Sequence, residues 1–418
     1  RDGFFIVTMV WLIYCTLGML PFLFGGHLHR VSEAFFETMS GFTTTGSTAF
    51  TDVDSLPHSI LLWRSVTHWV GGMGIIFFTL ALLPALGIGE QELFTAEATG
   101  LKLGKLHSRV NTTAHYLWST YLFVTIAGAI AYRICGMNTF DAINHSFAAI
   151  ATGGFSTHTA NIAYFHSPAI EYVSVVFMFL GATNFTLLYF VLFKRRFKLF
   201  WHDEELRLFI LLIFGFTAVC TLSQWWHSHD FTEHGFRESL FYVVSMMSTT
   251  GFTTENFMTW PHLTWISLLI VSAIGSCTGS TSGGIKVVRV LAGIKVVRNE
   301  IHHVLHPRSI RPLRINSDYI TPEVLQSIFA FLCCFTVLMV IGVIVFVTLG
   351  YPVFDSLGLS ISAYSNVGPG IGYSLGPLDS WSELPDTGLW LSSFLMIAGR
   401  LEIFGLLLPF TPSFWRYN

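Results

Sequence analysis

Charge is what this chain has least of. Only 11% of its 418 residues are Asp, Glu, Lys or Arg, and 52% are hydrophobic. A soluble domain carries about 25% charged residues, so a soluble globular protein is excluded and a polytopic membrane protein is implied. Mean hydropathy is +0.59. Cysteine is scarce as well. Cys15, Cys135, Cys220, Cys277, Cys333 and Cys334 lie within or at the ends of hydrophobic segments, with no CxxC pair and no metal-ligand spacing. They read as small buried apolar groups. No cleavable signal peptide is evident. The first residue is Arg, so upstream helices are expected to precede this sequence in a longer chain.

What the chain has in quantity is long apolar runs. Ile328 to Leu349 holds no charged residue; at about 1.5 Å per residue it spans roughly 33 Å, enough to cross the hydrocarbon core. The pattern predicts eight spanning segments alternating with four half-penetrating helices. First helices are expected at Phe4–Phe24, Thr113–Cys135, Leu208–Trp226 and Ile328–Leu349. Half-helices are expected at Val31–Phe42, Phe140–Ala151, Gly235–Ser248 and Val353–Ser365. Second helices are expected at Ile60–Leu83, Ile170–Phe193, Leu263–Val297 and Thr387–Leu408. The fold class is therefore an all-α polytopic membrane protein of four helix–pore-helix–helix repeats around a pseudo-fourfold central pore. Repeats fall at 1–85, 111–193, 206–300 and 319–408. Cytoplasmic linkers fall at 86–110, 194–205 and 301–318, and a cytoplasmic tail at 409–418.

The repeats are visible in the spacing. Glu33, Asp141, Glu238 and Asp355 are each followed thirteen positions on by a glycine in a short polar run: Thr44-Thr45-Gly46, Thr152-Gly153-Gly154, Thr249-Thr250-Gly251 and Asn366-Val367-Gly368. The second helices repeat an aromatic and a Ser two residues later, at Trp63/Ser65, Tyr172/Ser174, Trp265/Ser267 and Trp390/Ser392. Gly72, Gly181 and Gly399 fall nine after the aromatic, and Gly275 ten after. Shared offsets suggest repeats in one orientation around an axis along the membrane normal.

Basic residues fix that orientation. They collect after the second helices, at Lys102, Lys105 and Arg109, then Lys194, Arg195, Arg196, Lys198 and Arg207, then Lys286, Arg289, Lys295, Arg298, Arg308, Arg311 and Arg314. With Arg1 and Arg416 this side holds 17 of the 22 Lys and Arg, and is cytoplasmic by the positive-inside rule. The half-helices then enter from outside, where 14 acids face four bases (Arg30, Arg64, Arg133, Arg237). Such a surface concentrates cations. Glu33, Asp141, Glu238 and Asp355 suit the positive ends of the half-helices, either as caps or as an acidic outer mouth.

Backbone outside a helix is tolerated at membrane depth only where it lines water or is buried in protein. A turn that points carbonyls inward can replace a cation's water shell, and glycine permits the backbone angles while leaving the lumen open. The four turns read as a cation filter. Below them, Gly275-Ser276-Cys277-Thr278-Gly279-Ser280-Thr281-Ser282-Gly283-Gly284 interrupts the third second helix, followed by Lys286 and a basic amphipathic stretch. Such a loop reads as a gate or as a passive kink. It lacks the GxxxxGK[ST] phosphate-loop arrangement and follows a membrane span, not a strand. Arg400, inside the fourth second helix, is costly at membrane depth and calls for a site. It reads as a structural ion pair, as a side chain snorkelling near the cytoplasmic end, or as a charge beside the pore that holds the loop's carbonyls or sets a barrier to cations. The 17 histidines, among them His27, His29, His302, His303 and His306, form no metal constellation. No catalytic triad or carboxylate pair survives the topology, so no enzyme is read.

These pieces closely resemble the membrane subunit of the Trk-type potassium uptake system, in the Trk/Ktr/HKT superfamily. The matching runs are Thr43-Thr44-Thr45-Gly46-Ser47, Ala151-Thr152-Gly153-Gly154-Phe155, Ser248-Thr249-Thr250-Gly251-Phe252 and Asn366-Val367-Gly368-Pro369-Gly370, with Gly279 to Lys286 resembling the intramembrane gating loop and Gly399-Arg400-Leu401-Glu402 the fourth-repeat arginine motif. The resemblance covers essentially the whole chain. It implies potassium uptake across the plasma membrane (a bacterial inner membrane). It also implies a homodimer with one pore per subunit and a cytoplasmic ring partner with nucleotide-binding regulatory domains. Gly46 in the first turn resembles the potassium-selective members. Potassium is the expected cargo, no cofactor is expected in this chain, and the lipid bilayer, not nucleic acid, is its environment. The alternative is a sodium- or proton-coupled potassium symporter.

Overall fold

The structure, a computed structural model, describes residues 2–74, 110–229, 232–308, 312–316 and 318–415. The first linker up to residue 109, the distal part of the first repeat's second helix, and Arg1, Arg311 and Arg416 lie outside the described residues.

Each repeat is a long helix, a short re-entrant helix and a second, shorter helix. Repeat 1 has α1 (Asp2–Gly18), α2 (Leu20–Phe24), α3 (Val31–Phe42) and α4 (His58–Gly72). Repeat 2 has α5 (Val110–Ile134), α6 (Thr139–Ile150), α7 (Pro168–Ala182) and α8 (Phe185–Leu192), and α9 (Phe197–His202) leads out of it. Repeat 3 has α10 (Glu204–Ser228), α11 (Glu233–Met247), α12 (His262–Ile274) and α13 (Val287–Leu305). A two-stranded antiparallel hairpin follows, β1 (Arg314–Ile315) and β2 (Asp318–Tyr319), with Arg314 opposite Tyr319. Repeat 4 has α14 (Pro322–Thr348), α15 (Val353–Tyr364), α16 (Asp386–Arg400) and α17 (Phe404–Leu407), and α18 (Pro412–Trp415) ends the described chain.

The re-entrant helices stand within two residues of their expected bounds. Asn138 caps α6 by accepting from the Asp141 amide at 2.7 Å, and Thr232 caps α11 by accepting from the Gly235 amide at 3.1 Å. The α11 start at Glu233 puts Glu238 in the second turn, not at the helix start.

Of the eight expected spanning segments, the one at Ile60–Leu83 lies partly outside the described residues. Among the described residues four helices are long and apolar enough to cross a membrane, or five if α7 and α8 form one span bent by 109°. Three of the second helices break within the described residues. Repeat 3 breaks at Gly275, as the polar run predicts, and repeats 2 and 4 break as well. Asn184 ends one helix and caps the next, accepting from the amides of Thr186 and Leu187. In repeat 4 Glu402 and Ile403 take left-handed angles, φ +51° and +65°, and α4 stops at Gly72, with Gly74 at φ +78°.

Packing closes the four repeats into a ring. Each re-entrant helix contacts the second helix of the preceding repeat: α6 on α4, α11 on α7, α15 on α12 and α3 on α16. Repeats 2 and 3 share one apolar core, around Tyr132, Phe177, Phe209 and Phe241. Repeats 1 and 4 share another, around Trp11, Phe36, Phe335 and Leu395. Glycines allow the close approach. A Cβ on Gly71, Gly181 or Gly399 would lie 1.8, 2.8 or 1.9 Å from the carbonyl oxygen of Phe42, Ile150 or Tyr364, the last residue of its own repeat's re-entrant helix. The repeat-1 counterpart is thus Gly71, one residue before the Gly72 expected from spacing.

Candidate ion pathway

The end of each re-entrant helix is built the same way. Thr44, Thr152, Thr249 and Asn366 take left-handed angles, φ +53° to +57°. Two residues on, Gly46, Gly154, Gly251 and Gly368 have φ +75° to +107°. Between them the amides of Thr45, Gly153, Thr250 and Val367 donate to the carbonyls of Ser40, Ala148, Ser245 and Ser362 at 2.8–2.9 Å. This is the six-to-one bond of a Schellman helix end. A left-handed residue costs roughly 1–2 kcal/mol when it is not glycine, and local hydroxyls offset it. Thr43 Oγ1 lies 2.8 Å from Thr45 Oγ1, and Ser248 Oγ lies 2.7 Å from Thr250 Oγ1. Alternation of the sign of φ turns successive carbonyls toward one side, which is the requirement for lining a lumen.

The four turns meet. A Cβ on Gly46 would lie 2.1 Å from Gly153 O, one on Gly154 2.1 Å from Thr250 O, one on Gly251 2.0 Å from Val367 O, and one on Gly368 2.3 Å from Thr45 O. Each glycine therefore abuts the carbonyl before the glycine of the next repeat, and the fourth returns to the first. Two side chains join the last turn to the first: Asn366 Nδ2 donates to Thr45 Oγ1 at 3.0 Å, and Ser47 Oγ donates to Gly368 O at 2.8 Å.

The polar loop of repeat 3 lies against the second, third and fourth turns. Thr281 Oγ1 is 3.1 Å from Thr152 Oγ1 and donates to Ile150 O at 2.9 Å. The Gly283 amide donates to Thr249 Oγ1 at 2.8 Å, and a Cβ on Gly283 would lie 2.3 Å from Ser365 O and 2.9 Å from Asn366 Oδ1. Arg400 supplies the link to the first turn. It donates to Thr44 Oγ1 at 3.2 Å, to the Thr281 carbonyl, and to the carbonyls of Gly71 and Gly72 at 2.6 and 3.1 Å. One guanidinium thus ties a turn, the loop and a helix end. Lys286, buried at φ +79°, donates to Ser282 O and Oγ. Ser276, Ser280 and Ser282 bond one another. The Gly279 carbonyl accepts from the Phe185 amide at 3.0 Å, and Gly275 opens the loop at φ +72°. Every residue expected in the turns and the loop is gathered here.

The four acids sit elsewhere. Asp141, Glu238 and Asp355 are buried and clamp the chain leaving their own turn. Asp141 Oδ1 accepts from Thr157 Oγ1 at 2.7 Å, Glu238 accepts from Thr254 Oγ1, and Asp355 accepts from the amides of Tyr373 and Ser374 at 3.0 and 2.8 Å. Glu33 instead pairs with Arg30 at 2.6 Å. In repeat 1 the clamp is Glu37, which accepts from the Ala49 amide at 2.7 Å and from Thr48 Oγ1. Glu37 is 0% exposed and meets Arg64, 2% exposed, at 2.7 Å. Arg64 also donates to Ser156 O at 3.1 Å and lies 4.1 Å over the Phe155 ring, bracing the first turn's exit against the second's.

Sequence reading missed this pair, and His68 and His145 too. The Phe155 amide donates to His68 Nε2 at 3.1 Å, so the proton sits on Nδ1 and is donated to Gly41 O at 2.7 Å, and the ring is neutral. His145 bridges Asp141 O and Ser156 Oγ, each at 2.9 Å. The common offset of 16 between Asp141 and Thr157 and between Glu238 and Thr254 was a usable signal for the clamps. Above them, His158 bridges Asp54 at 2.7 Å and Asp141 at 3.2 Å and stacks on Tyr164 at 3.5 Å. Burial works to lower the His158 pKa, but its hydrogen bonds and attraction to the two carboxylates outweigh this and raise it.

The TrkH family model, described as a cation transport protein, matches residues 1–417. The chain is 38% identical over 419 residues to the Trk system potassium uptake protein TrkH of Escherichia coli K12, covering 100% of this chain and 86% of that protein. It is 37% identical to the Trk system potassium uptake protein TrkG of the same strain, with the same coverage. The crystal structure of the potassium transporter TrkH from Vibrio parahaemolyticus matches it with a TM-score of 0.87 at 37% identity, over 100% of this chain and 86% of that one. These relatives are named as transport proteins, not enzymes, and the apolar helices agree with a multi-pass membrane protein. With its whole length matched, this chain belongs to the TrkH family of cation transport proteins.

Proposed function

We propose that this chain carries potassium across the bacterial inner membrane through the ring of four turns. The observation that carries the reading is the closure of that ring: four glycines, each against the carbonyl of the next repeat. Main-chain oxygens around one axis can replace the water shell of an alkali cation. The names of the relatives, potassium uptake proteins, point to the same ion. Thr44, Thr45, Gly46, Thr152, Gly153, Gly154, Thr249, Thr250, Gly251, Asn366, Val367 and Gly368 form the filter. The loop from Gly275 to Gly284, with Lys286 and Arg400, is the gate, held shut where the loop touches three turns and Arg400 ties it to the first. Two cationic groups just below the turns add an electrostatic barrier until the loop withdraws. Potassium is cargo, and no prosthetic group of this chain is required.

The word "system" in the relatives' names supports a multi-component assembly. We assign it as a homodimer with a cytoplasmic nucleotide-binding regulatory subunit, docked on the basic surface around Lys194 to Lys198 and α13. The test is flux in proteoliposomes. Potassium moving down its own gradient, without sodium or proton gradients, supports a channel-like pore. Movement of sodium or protons in fixed ratio with potassium would overturn it in favour of a symporter.

A further inference from the structure

Glu205 belongs to no turn and no loop, yet it holds the loop at both ends. It lies in the first turn of α10 and is 3% exposed. Its Oε1 accepts from the amide of Thr278 at 2.7 Å and from the amide of Val288 at 3.1 Å. Thr278 is near the start of the loop, and Val288 is the second residue of α13, just past its end. The helix needs this contact, because Lys286 at its N-cap position makes no side-chain cap. Glu205 therefore caps α13 from another helix, with a negative charge at the positive end. One carboxylate oxygen ties together two points ten residues apart.

The two residues before Glu205 connect it to the cytoplasmic hairpin. The amide of Glu204 donates to Asn316 Oδ1 at 2.8 Å, and Asn316 Nδ2 donates to Asp203 Oδ2 at 3.0 Å. Asn316 sits between β1 and β2 at φ +53°. Lys295 on α13 pairs with Glu204 and donates to the Arg314 carbonyl at 2.6 Å. Arg289, one residue after Val288, pairs with Glu402 in the break of repeat 4. The hairpin, the start of α10 and the start of α13 thus share one hydrogen-bonded junction.

We propose that Glu205 is the positioning residue that latches the repeat-3 loop beneath the four turns, and that the β1–β2 hairpin sets its position through Asn316, so that displacement of the hairpin releases both ends of the loop together. This rests on the gating role given to the loop above. A partner pressing on the cytoplasmic face needs no contact with the pore to open it; moving Asn316 suffices.

The test uses the full chain in lipid, with two readouts. Hydrogen–deuterium exchange of the segment 276–290 reports the Thr278 and Val288 amides directly. Potassium flux reports the gate. Glu205→Ala is expected to raise exchange in that segment and basal flux at least tenfold, about 1.4 kcal/mol in the closed-state equilibrium. Glu205→Gln keeps an acceptor oxygen without the charge and gives a smaller rise; it carries the test if the alanine variant fails to fold. Asn316→Ala, outside the membrane, is expected to raise exchange in the same segment. Unchanged exchange in folded Glu205→Gln and Glu205→Ala overturns the latch, and unchanged exchange in Asn316→Ala overturns the hairpin link. Raised exchange with unchanged flux overturns the gating role instead if deleting Thr278–Ser282 also leaves flux unchanged. If that deletion raises flux while the Glu205 variants do not, the latch is refuted and the gate stands.

Discussion

Replacing Gly46 by serine tests the ring at one point with a displacement fixed by geometry. A Cβ there lies 2.1 Å from Gly153 O, where ordinary contact begins at 3.4 Å. The first and second turns must part by about 1.3 Å, more than the difference in radius between potassium and sodium, and the φ of +87° adds roughly 1–2 kcal/mol of backbone strain. The carbonyls on either side of that contact can no longer converge on one dehydrated ion. If the ring distinguishes the ions by fit, the expected outcome is about a tenfold fall in potassium-over-sodium permeability, a differential of about 1.4 kcal/mol between the two ions. Reversal potentials in planar bilayers, or paired rubidium and sodium uptake in proteoliposomes, would read it. Gly26→Ala is the control, since Gly26 has φ +67° with nothing within 4 Å of its Cβ. It shares the backbone strain and should leave the ratio alone. An unchanged ratio in correctly folded Gly46→Ser protein would refute the filter assignment.

Removing Arg400 with Arg400→Ala should raise basal flux and lower thermal stability by about 1.5–3 kcal/mol, the range for charge-assisted hydrogen bonds; normal gating in the variant would detach Arg400 from the gate. Arg64→Ala leaves Glu37 buried and uncompensated, so denaturation in detergent should show a loss of about 3–5 kcal/mol, with the Glu37→Gln/Arg64→Ala double variant recovering part of it. The His158 bridge predicts a pH dependence. Its pKa is raised, so its stabilisation is complete below the unfolded value of 6.5 and is lost as pH rises through the higher folded value. Asp54 is lowered: burial raises it, but its bonds to His158 and Thr159 prevail, so its share appears above 3.8 and is lost as pH falls through the depressed value. Melting temperature should therefore decline on the alkaline side of 6.5, and His158→Gln should flatten that limb; equal slopes would count against the bridge.

The re-entrant helices and their turns were legible because their signals are local. An acid near the entry, a glycine at the exit and a fixed distance between them specify helix and turn without knowledge of neighbours. Breaks in the second helices were harder. Gly275 announces its own, but Glu402 and Ile403 adopt left-handed angles against their intrinsic preference, in a chain whose composition there reads as continuous helix. Beside them Arg400 reaches three separate elements, and such contacts are a tertiary fact. The contacts of Glu37, Arg64, His68 and Glu205 escaped notice for the same reason: each acts on backbone groups 12 to 92 positions away in the chain. The four acids looked equivalent by spacing, yet Glu33 gave up its task to Glu37, one helical turn later.

Because one polypeptide contributes all four walls, no two of them need be the same. Asn366 stands where the other three turns carry Thr, Val367 stands where they carry Thr or Gly, and the Asn366 amide reaches sideways to its neighbour. In an assembly of four identical chains every mutation strikes four times at once. Here a substitution alters a single quadrant, so evolution can adjust the conduit in small, separable steps.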